Sequence, residues 1–509
     1  MILTREIAAL VGSVGVLLLL MPLSWRPRRS LGLTLTTAAW IVMGLSLALE
    51  GTLATRIKRP AVAAVAVAGL LVALGLLVLA ARLVRAHPGI WFAALAVALP
   101  VRLPLSLGEG DSHNLLLPLY CVIAVGLAVW FLELRGTKIE DPNPAALDVP
   151  VGLFVALSLA SVLWTSAGHE AAVKAGFFYL PFTLAYLLVL RMWPRARSIR
   201  ILAWSTAAVS IVVAVIALVQ YETRTVFWNE TLKQGHKYGR FFRVNSIFYD
   251  PNILGRFLVL GILGAVAAAL WWRTPRVLVW SGLFCVLQML ALAVSVSRSS
   301  ALALMLGLTL LSARAFRPRR VIALLAALLL VGGGVAAAGS KNVRRVMTDA
   351  QYLSHVSEGR FALIKGGLKI WRQAPVLGVG IGSFETEYKQ SFTRGEKRRT
   401  RVFISHNTPV TVLSELGIVG VGGLAALLVW GASVVRRRSR LAGGPGWAAW
   451  TGLAMMAGIF IHSTLYAAFF EDPYLWVIAG GTMALLASSR PGKVGEAPGV
   501  WALGGAESR

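Results

Sequence analysis

Long apolar runs separated by short polar segments dominate the chain. Three of the first runs cover residues 7–20, 31–49 and 61–81, and each is close to the roughly 20 residues that a helix needs to cross a bilayer. Backbone groups in lipid must bond within their own segment, so these runs predict helices. The pattern recurs almost to the C-terminus. It predicts an all-α fold, a polytopic transmembrane bundle of about 12–15 spans with a large periplasmic loop that contains short helices.

The spacing of the runs divides the chain into regions. Residues 1–20 lack a small-residue cleavage site, so we interpret them as the first span rather than as a signal peptide. In chain order the predicted regions are N-terminal spans (1–134), a cytoplasmic linker (135–149), spans 150–338 with an outer loop at 221–250, a large periplasmic loop (339–407), C-terminal spans (408–489) and a cytoplasmic tail (490–509). Individual spans are expected at 90–103, 321–338 and 447–470, among others.

Composition agrees with a membrane protein and bears on its partners. The chain is 57% hydrophobic and 14% charged, with a mean hydropathy of +0.72 and a net charge of +28. Much of the positive charge lies in short arginine clusters, at 26–29, 195–200, 317–320 and 436–440. Such clusters are typical of cytoplasmic loops and do not indicate nucleic acid. On this orientation, 339–407 carries thirteen basic against five acidic residues outside the cytoplasm. This excess indicates a polyanion or lipid-phosphate partner, or an external domain whose charge has no function.

Two helix-start signals are predicted on the outer side. Asp250 before Pro251 and Thr408 before Pro409 each fit a capping residue followed by a proline in the first turn. His406 therefore lies at the mouth of the later helix. The positive end of a helix dipole disfavours imidazolium, so this histidine is expected to be neutral and able to accept a proton. The alternative is that His406 only bonds its own loop.

A third helix is predicted to begin on the same side after Arg298, with Ser299 or Ser300 as its cap. Arg243 lies just before the helix that starts after Asp250. Helix N-termini accompanied by arginines are anion sites, and the guanidinium fork suits phosphate oxygens.

Residues 360–372 are predicted to form an amphipathic helix in the periplasmic loop. Projection at about 100° per residue defines an apolar half that consists of Phe361, Leu363, Ile364, Leu368, Ile370 and Trp371. A separate basic stripe consists of Lys365, Lys369 and Arg372. Arg360 projects into the apolar half, where an unpaired charge is costly, so it either meets an internal anion or snorkels to the surface.

Three alternating glycines follow this helix, at Gly378, Gly380 and Gly382. They allow a tight chain reversal or a close approach between two backbones. No predicted strand precedes them, so they do not indicate a dinucleotide site.

Ionisable residues also occur near the C-terminus. His462 lies within a predicted span, and Glu471 and Asp472 lie at its outer end. An intramembrane histidine is a candidate for function by default. Packing is the interpretation favoured for His462, and the sequence assigns no role to the two carboxylates.

Four segments carry a family resemblance. They are RVNSIFYDPN with Arg243, SVSRSS with Arg298, GRFALIKGGLKIWRQAPVLGVGIGSF with Arg360, and HNTPVTVLSELGIVG with His406. Together they resemble the O-antigen ligase and polymerase superfamily of bacterial membrane glycosyltransferases, over roughly residues 150–430. LASVLWTSAGHEAA, near Trp164, is similar more loosely.

The resemblance implies transfer of a glycan from undecaprenyl pyrophosphate to an acceptor hydroxyl at the periplasmic face, without a metal, another cofactor or a nucleotide sugar. It assigns Arg243 and Arg298 to the donor pyrophosphate and His406 to activation of the acceptor. Arg360 matches a family arginine position and is included in the donor site. The residues expected to support the site are Asp250, Asn252, Asn407 and Glu415.

Expected partners follow from the same resemblance. They are a lipid-linked glycan donor, an acceptor that is a glycan, a lipid A core or another cell-envelope molecule, and the bilayer of the bacterial inner (cytoplasmic) membrane, with no nucleic acid. The motifs do not separate a ligase from a polymerase. A non-enzymatic transporter is a further alternative, although a transporter places its charges near the midplane, whereas these are predicted at one face.

Overall fold

Helices make up almost all of the regular structure in the computed structural model. The residues described are 2–20, 26–50, 60–106, 112–134, 148–192, 197–227, 229, 232–233, 242–316, 360–390, 405, 407–439, 444–466 and 468–488. Within them, nine helices are long and apolar enough to cross a membrane, and four further apolar helices are shorter. The predicted polytopic helical bundle is therefore confirmed.

The helices are named here in chain order. They are α1 (Ile2–Leu20), α2 (Arg26–Glu50), α3 (Pro60–Ala86), α4 (Pro88–Ala98), α5 (Leu117–Leu134), α6 (Asp148–Ala160), α7 (Gly168–Lys174), α8 (Leu180–Met192), α9 (Arg197–Thr223), α10 (Pro251–Trp272), α11 (Pro275–Ser295), α12 (Arg298–Ala315), α13 (Arg360–Trp371), α14 (Phe384–Gln390), α15 (Thr408–Ser439), α16 (Gly444–Leu465) and α17 (Pro473–Ser488). A 3₁₀ turn follows α6 at Ser161–Leu163, and a π segment, Ala175–Tyr179, joins α7 to α8.

Two hydrophobic clusters organise the bundle. The larger cluster joins α1, α2 and α5–α8 to α17, and includes the buried rings of Phe154, Tyr186 and Trp476. The smaller cluster joins α9–α12 to α16 and includes Phe248, just before α10, and Phe257, near the start of α10. The helices that carry the candidate site residues are therefore also packed into these two clusters.

The predicted span at 90–103 is wrong at its C-terminal end. Helix α4 ends at Ala98 because Pro100 has no N–H with which to continue it. Residues Leu103–Ser106 (β1) then pair with Ser112–Leu115 (β2) in an antiparallel ladder. The predicted span at 447–470 also ends early, since α16 stops at Leu465. The span predicted at 321–338 lies outside the described residues.

Helices α10 and α12 begin at side-chain caps. Asp250 caps α10 as predicted, because its Oδ1 accepts a hydrogen bond from the Asn252 N–H at 2.6 Å. At α12 the predicted cap is wrong: Ser297 Oγ accepts from the Ser300 N–H at 3.4 Å, so the cap comes before Arg298 rather than after it. Arg298 is consequently the first residue of the helix, at its positive end.

The capping residue of α15 lies one position earlier than predicted. Asn407 Oδ1 accepts from the Val410 N–H at 3.0 Å, so Asn407 is the cap and Thr408 the first helical residue. The hydroxyl of Thr408 instead donates to the carbonyl of Ser463 at 3.2 Å. An asparagine is at least as good a cap as a threonine, and this tertiary contact leaves Thr408 unavailable for capping.

The glycine-rich loop after α13 packs against a break in α15. Gly417 has φ 64° and ψ −160°, a conformation essentially restricted to glycine. A Cβ on Gly417 would lie 2.2 Å from the Val376 carbonyl oxygen, and one on Gly378 would lie 2.3 Å from the Glu415 carbonyl carbon. Four backbone hydrogen bonds join the two segments, from Val379 to Ser414, Gly380 to Glu415, Ile418 to Pro375 and Val419 to Val376. The glycines therefore serve close backbone approach.

Helix α13 is amphipathic, but one predicted position is wrong. Leu363 and Ile370 are buried in a small cluster with Phe384 and Tyr388 of α14. Leu368, assigned to the apolar half, is 38% exposed. The predicted basic stripe of Lys365, Lys369 and Arg372 is exposed. The backbone of Arg360 begins the helix, whereas its side chain lies outside the described part of the chain, so the internal anion predicted for it stays a prediction.

Candidate functional site

The mouths of α10 and α12 are joined by polar side chains. Arg243 donates from Nη2 to Asn252 Oδ1 at 3.1 Å and from Nε to the Ser295 carbonyl at 3.1 Å. The same Asn252 oxygen accepts from Ser297 Oγ at 2.9 Å. Arg243 is thus held across the start of α10 and the end of α11. Because the Ser297 side chain is also the cap of α12, both helix N-termini belong to one hydrogen-bonded group.

The C-terminal end of α16 connects this group to the mouth of α15. His462 Nε2 lies 3.1 Å from Ser299 Oγ in the first turn of α12. Two residues further on, the Thr464 carbonyl accepts from Asn407 Nδ2 at 3.0 Å. His462 is fully buried, as packing requires, and its helix contacts two of the three helix starts, α12 through His462 and α15 through Thr464. The structure therefore brings together three N-termini that are far apart in sequence.

Arg298 differs from Arg243 in its surroundings. Its side chain is exposed, and within the described residues it makes no hydrogen bond or ion pair. It stands at the first position of α12, beside the serines that contact Asn252 and His462. A guanidinium at a helix N-terminus can meet an anion that reaches the backbone N–H groups.

The predicted base of the site is His406. His406 lies outside the described residues, although both neighbours, Ser405 and Asn407, are described. Ser405 Oγ donates to the Asn407 carbonyl at 3.0 Å and accepts from the Asn407 N–H at 3.1 Å. The chain on either side of His406 is thus fixed against the start of α15.

A buried ion pair that was not assigned from the sequence lies one turn below Asn252. Arg256 Nε is 2.6 Å from Asp472 Oδ2, and both side chains are almost completely buried. Arg256 Nη1 also donates to the Ala468 carbonyl at 3.2 Å. A second guanidinium, Arg102, interacts electrostatically with the same carboxylate: burial lowers the pKa of Arg102, and Asp472 opposes that change. Asp472 is therefore a counterion for two arginines.

Tyr466 ties this pair to the cap of α10. Burial raises the pKa of the Tyr466 hydroxyl, and the charge of Asp250 raises it further, so the hydroxyl stays protonated and hydrogen-bonds the Asp250 side chain. Asp250 in turn caps the helix that carries Asn252 and Arg256. The loop between α16 and α17 is consequently attached to the start of α10 by two contacts, Tyr466 with Asp250 and Asp472 with Arg256.

Glu415, which was predicted to support the site, lies away from the hydrogen-bonded helix starts. It lies in the second turn of α15, where its carboxylate accepts from Lys174 Nζ at 3.0 Å and from the Phe384 N–H at 3.3 Å. Glu471 interacts electrostatically with the same lysine. Glu415 therefore joins α7 and α14 to the kinked helix, beside the glycine-rich loop.

The segment around Trp164 reaches the other side of that loop. Thr165 Oγ1 donates to the Ile381 carbonyl at 2.9 Å, and the Ile381 N–H donates to Ser161 Oγ at 3.0 Å. Gly380 lies so close that a Cβ there would be 2.6 Å from the Thr165 Cα. The segment around Trp164, the glycine-rich loop and α15 are thus in contact with one another, and α16 connects α15 to the segments of Arg243 and Arg298. Among the described residues, no group of three or more His, Cys, Asp or Glu side chains could hold a metal ion.

Comparison with known families agrees with this arrangement. Residues 283–425 match a family model described as O-antigen ligase. This match supports membership of the chain in the O-antigen ligase superfamily. The matched region begins in α11 and ends in α15, and it includes Arg298, α13 and the glycine-rich loop. The same match supports a membrane glycosyltransferase-like function in O-antigen assembly, in a multi-pass bacterial membrane protein. A search of curated proteins found no match to the chain.

Sequence reasoning missed the charged residues that lie behind the candidate site. Arg256 lies within an apolar helix five residues after Pro251, and Asp472 precedes Pro473 in the same way that Asp250 precedes Pro251. Both are signals that could have been used, since an ionisable residue inside an apolar helix requires a partner. What could not be inferred was which of several distant carboxylates supplies that partner.

Proposed function

We propose that this chain transfers a glycan from undecaprenyl pyrophosphate to an acceptor hydroxyl on the periplasmic side of the inner membrane, without a metal. The observation that supports this most directly is that α16 connects the mouth of α15 to the hydrogen-bonded mouths of α10 and α12, with Arg243 across these two mouths and Arg298 exposed beside them. Such a site favours a dianionic or polyanionic ligand, and a lipid pyrophosphate carries that charge at the membrane surface.

The proposed reaction is a single displacement. The acceptor oxygen attacks the anomeric carbon as the bond from that carbon to the pyrophosphate oxygen breaks, and His406 takes the acceptor proton. The pyrophosphate leaves with the bonding electron pair, and Arg243 and Arg298 stabilise the charge that develops on it. The anomeric configuration is therefore inverted. Arg360 is proposed as a third contact to the donor.

Incubation of the purified full-length protein with a lipid-linked glycan and candidate acceptors tests this proposal. We expect the acceptor to gain the glycan and free undecaprenyl pyrophosphate to appear in equal amount. A transporter would move the donor between vesicle compartments without consuming it, and that result would contradict the proposal.

The acceptor is tested in cells. A deletion strain of a ligase should accumulate full-length glycan that is not attached to its final acceptor, whereas loss of a polymerase should leave single repeat units still attached. We propose the ligase outcome, because the matched family model is that of O-antigen ligase. Attached single units in the deletion strain would assign the polymerase reaction instead.

A further inference from the structure

An exposed apolar surface continues from α15 onto the turn after α13. Beyond its break, α15 exposes Ile418 (56%) and Val429 (71%) on one face, because residues eleven apart in a helix point in nearly the same direction. Backbone hydrogen bonds fix the turn beside that face, so that Val376 and Leu377, both exposed, extend it. We call Val376, Leu377, Ile418 and Val419 the outer apolar patch.

The length of α15 gives the depth of this patch. Arg436, near the other end of the helix, is eighteen positions after Ile418. At a rise of 1.5 Å per residue, the two residues are about 27 Å apart along the helix axis. The hydrocarbon core of a bilayer is about 30 Å thick. With Arg436 and Arg437 at one membrane surface, the outer apolar patch therefore lies at the opposite boundary of the core.

The basic stripe of α13 begins where the patch ends. Helix α13 runs beside the first segment of α15, since Ser414 Oγ donates to the Gly367 carbonyl at 3.0 Å and Pro375 pairs with Ile418. Within the basic stripe, Arg372 is therefore nearest the patch, and Lys369 lies about one turn farther from it. Headgroups occupy roughly 5–7 Å on each side of the core. Arg372 and Lys369, both exposed, fall within that layer.

We propose that Lys369 and Arg372 bind the phosphates of anionic phospholipids at the membrane surface where the site opens. A phospholipid has an anionic headgroup above apolar acyl chains, and here two cations lie above an apolar patch in the same order. A basic helix face that only contacts water would not be expected to border exposed valine and leucine side chains. Bound lipid would hold α13, and through it the start of α15, at a fixed height above the bilayer. The lipid binding does not depend on the proposed transferase activity.

Fluorescence quenching tests this proposal in the intact protein. The chain has two cysteines, Cys121 and Cys285, so their replacement by alanine followed by Leu377→Cys allows a single bimane label on the patch. The labelled protein is reconstituted in vesicles of phosphatidylcholine and phosphatidylglycerol, one of which is brominated in its acyl chains. We expect bimane to be quenched by either brominated lipid, with brominated phosphatidylglycerol favoured about 25-fold, since each of the two cations near the surface contributes about fivefold.

Variants separate the headgroup contact from simple immersion. Lys369→Gln with Arg372→Gln should retain quenching but lose the preference for phosphatidylglycerol. Arg276→Gln, a change of an exposed arginine at the far end of α11, should keep the preference. Equal quenching by both lipids in the labelled protein that retains Lys369 and Arg372 would overturn the headgroup assignment, and absence of quenching by either lipid would overturn the depth as well. Both of these outcomes are measured in the labelled protein that retains Lys369 and Arg372. The proposal can therefore be refuted even if the double variant folds poorly.

Discussion

Asp472→Asn removes the negative charge that pairs with the buried Arg256 and also acts on Arg102. Asp472 Oδ1 also accepts from the Tyr474 N–H at 2.8 Å, as the cap of α17, and asparagine retains that cap. What is lost is the counterion of Arg256 and Arg102. Side-chain exposures of 3% for Arg256 and 2% for Asp472 leave almost no solvent to screen the remaining charges. Breaking such a pair costs about 3–5 kcal/mol.

Arg256→Met should cost less than Asp472→Asn. It removes one guanidinium but leaves Asp472 opposite Arg102, so the expected loss is that of a charge-assisted hydrogen bond, about 1.5–3 kcal/mol. The free energy of unfolding can be measured in mild detergent by steric trapping. Glu385→Gln is the matched control, because it breaks an exposed pair with Lys389 and should cost less than about 1 kcal/mol. If Arg256→Met were as costly as Asp472→Asn, the shared-counterion reasoning would be refuted.

Three further predictions concern the motifs themselves. Arg298→Lys should reduce glycan transfer about ten- to a hundredfold, because lysine cannot offer a planar fork to two phosphate oxygens; wild-type turnover would remove Arg298 from the donor site. His406→Gln should bind the lipid-linked donor but transfer glycan at least about a hundredfold more slowly, and near-normal transfer would leave His406 only an orienting role. Gly417→Ala should cost at least about 1–3 kcal/mol of stability from its backbone conformation, whereas Gly422→Ala in the same helix, where a Cβ meets no atom within 4 Å, should be neutral or stabilising. Equal effects of the two alanines, measured by thermal unfolding in detergent, would contradict the close approach at Gly417.

The sequence determined the class of fold because lipid imposes a simple rule. Apolar runs of spanning length must be helices in a bilayer, so the pattern alone predicts the bundle. Local helix starts were predicted almost as well, since capping depends on a few neighbouring side chains. At Ser297 and Asn407 the cap moved by one or a few residues, because tertiary contacts, such as that of Thr408 with Ser463, compete for the same hydroxyls.

The assembly of the site was decided by tertiary structure. Nothing local to α16 specifies that His462 will lie beside Ser299, or that Thr464 will accept a hydrogen bond from Asn407. The same holds for the pairing of Arg256 with Asp472, whose separation along the chain exceeds 200 residues. Sequence shows that a charge buried in an apolar helix needs a partner, because leaving it unpaired is costly. Which partner it meets depends on how the helices pack, and that depends on side-chain shape along every helix at once.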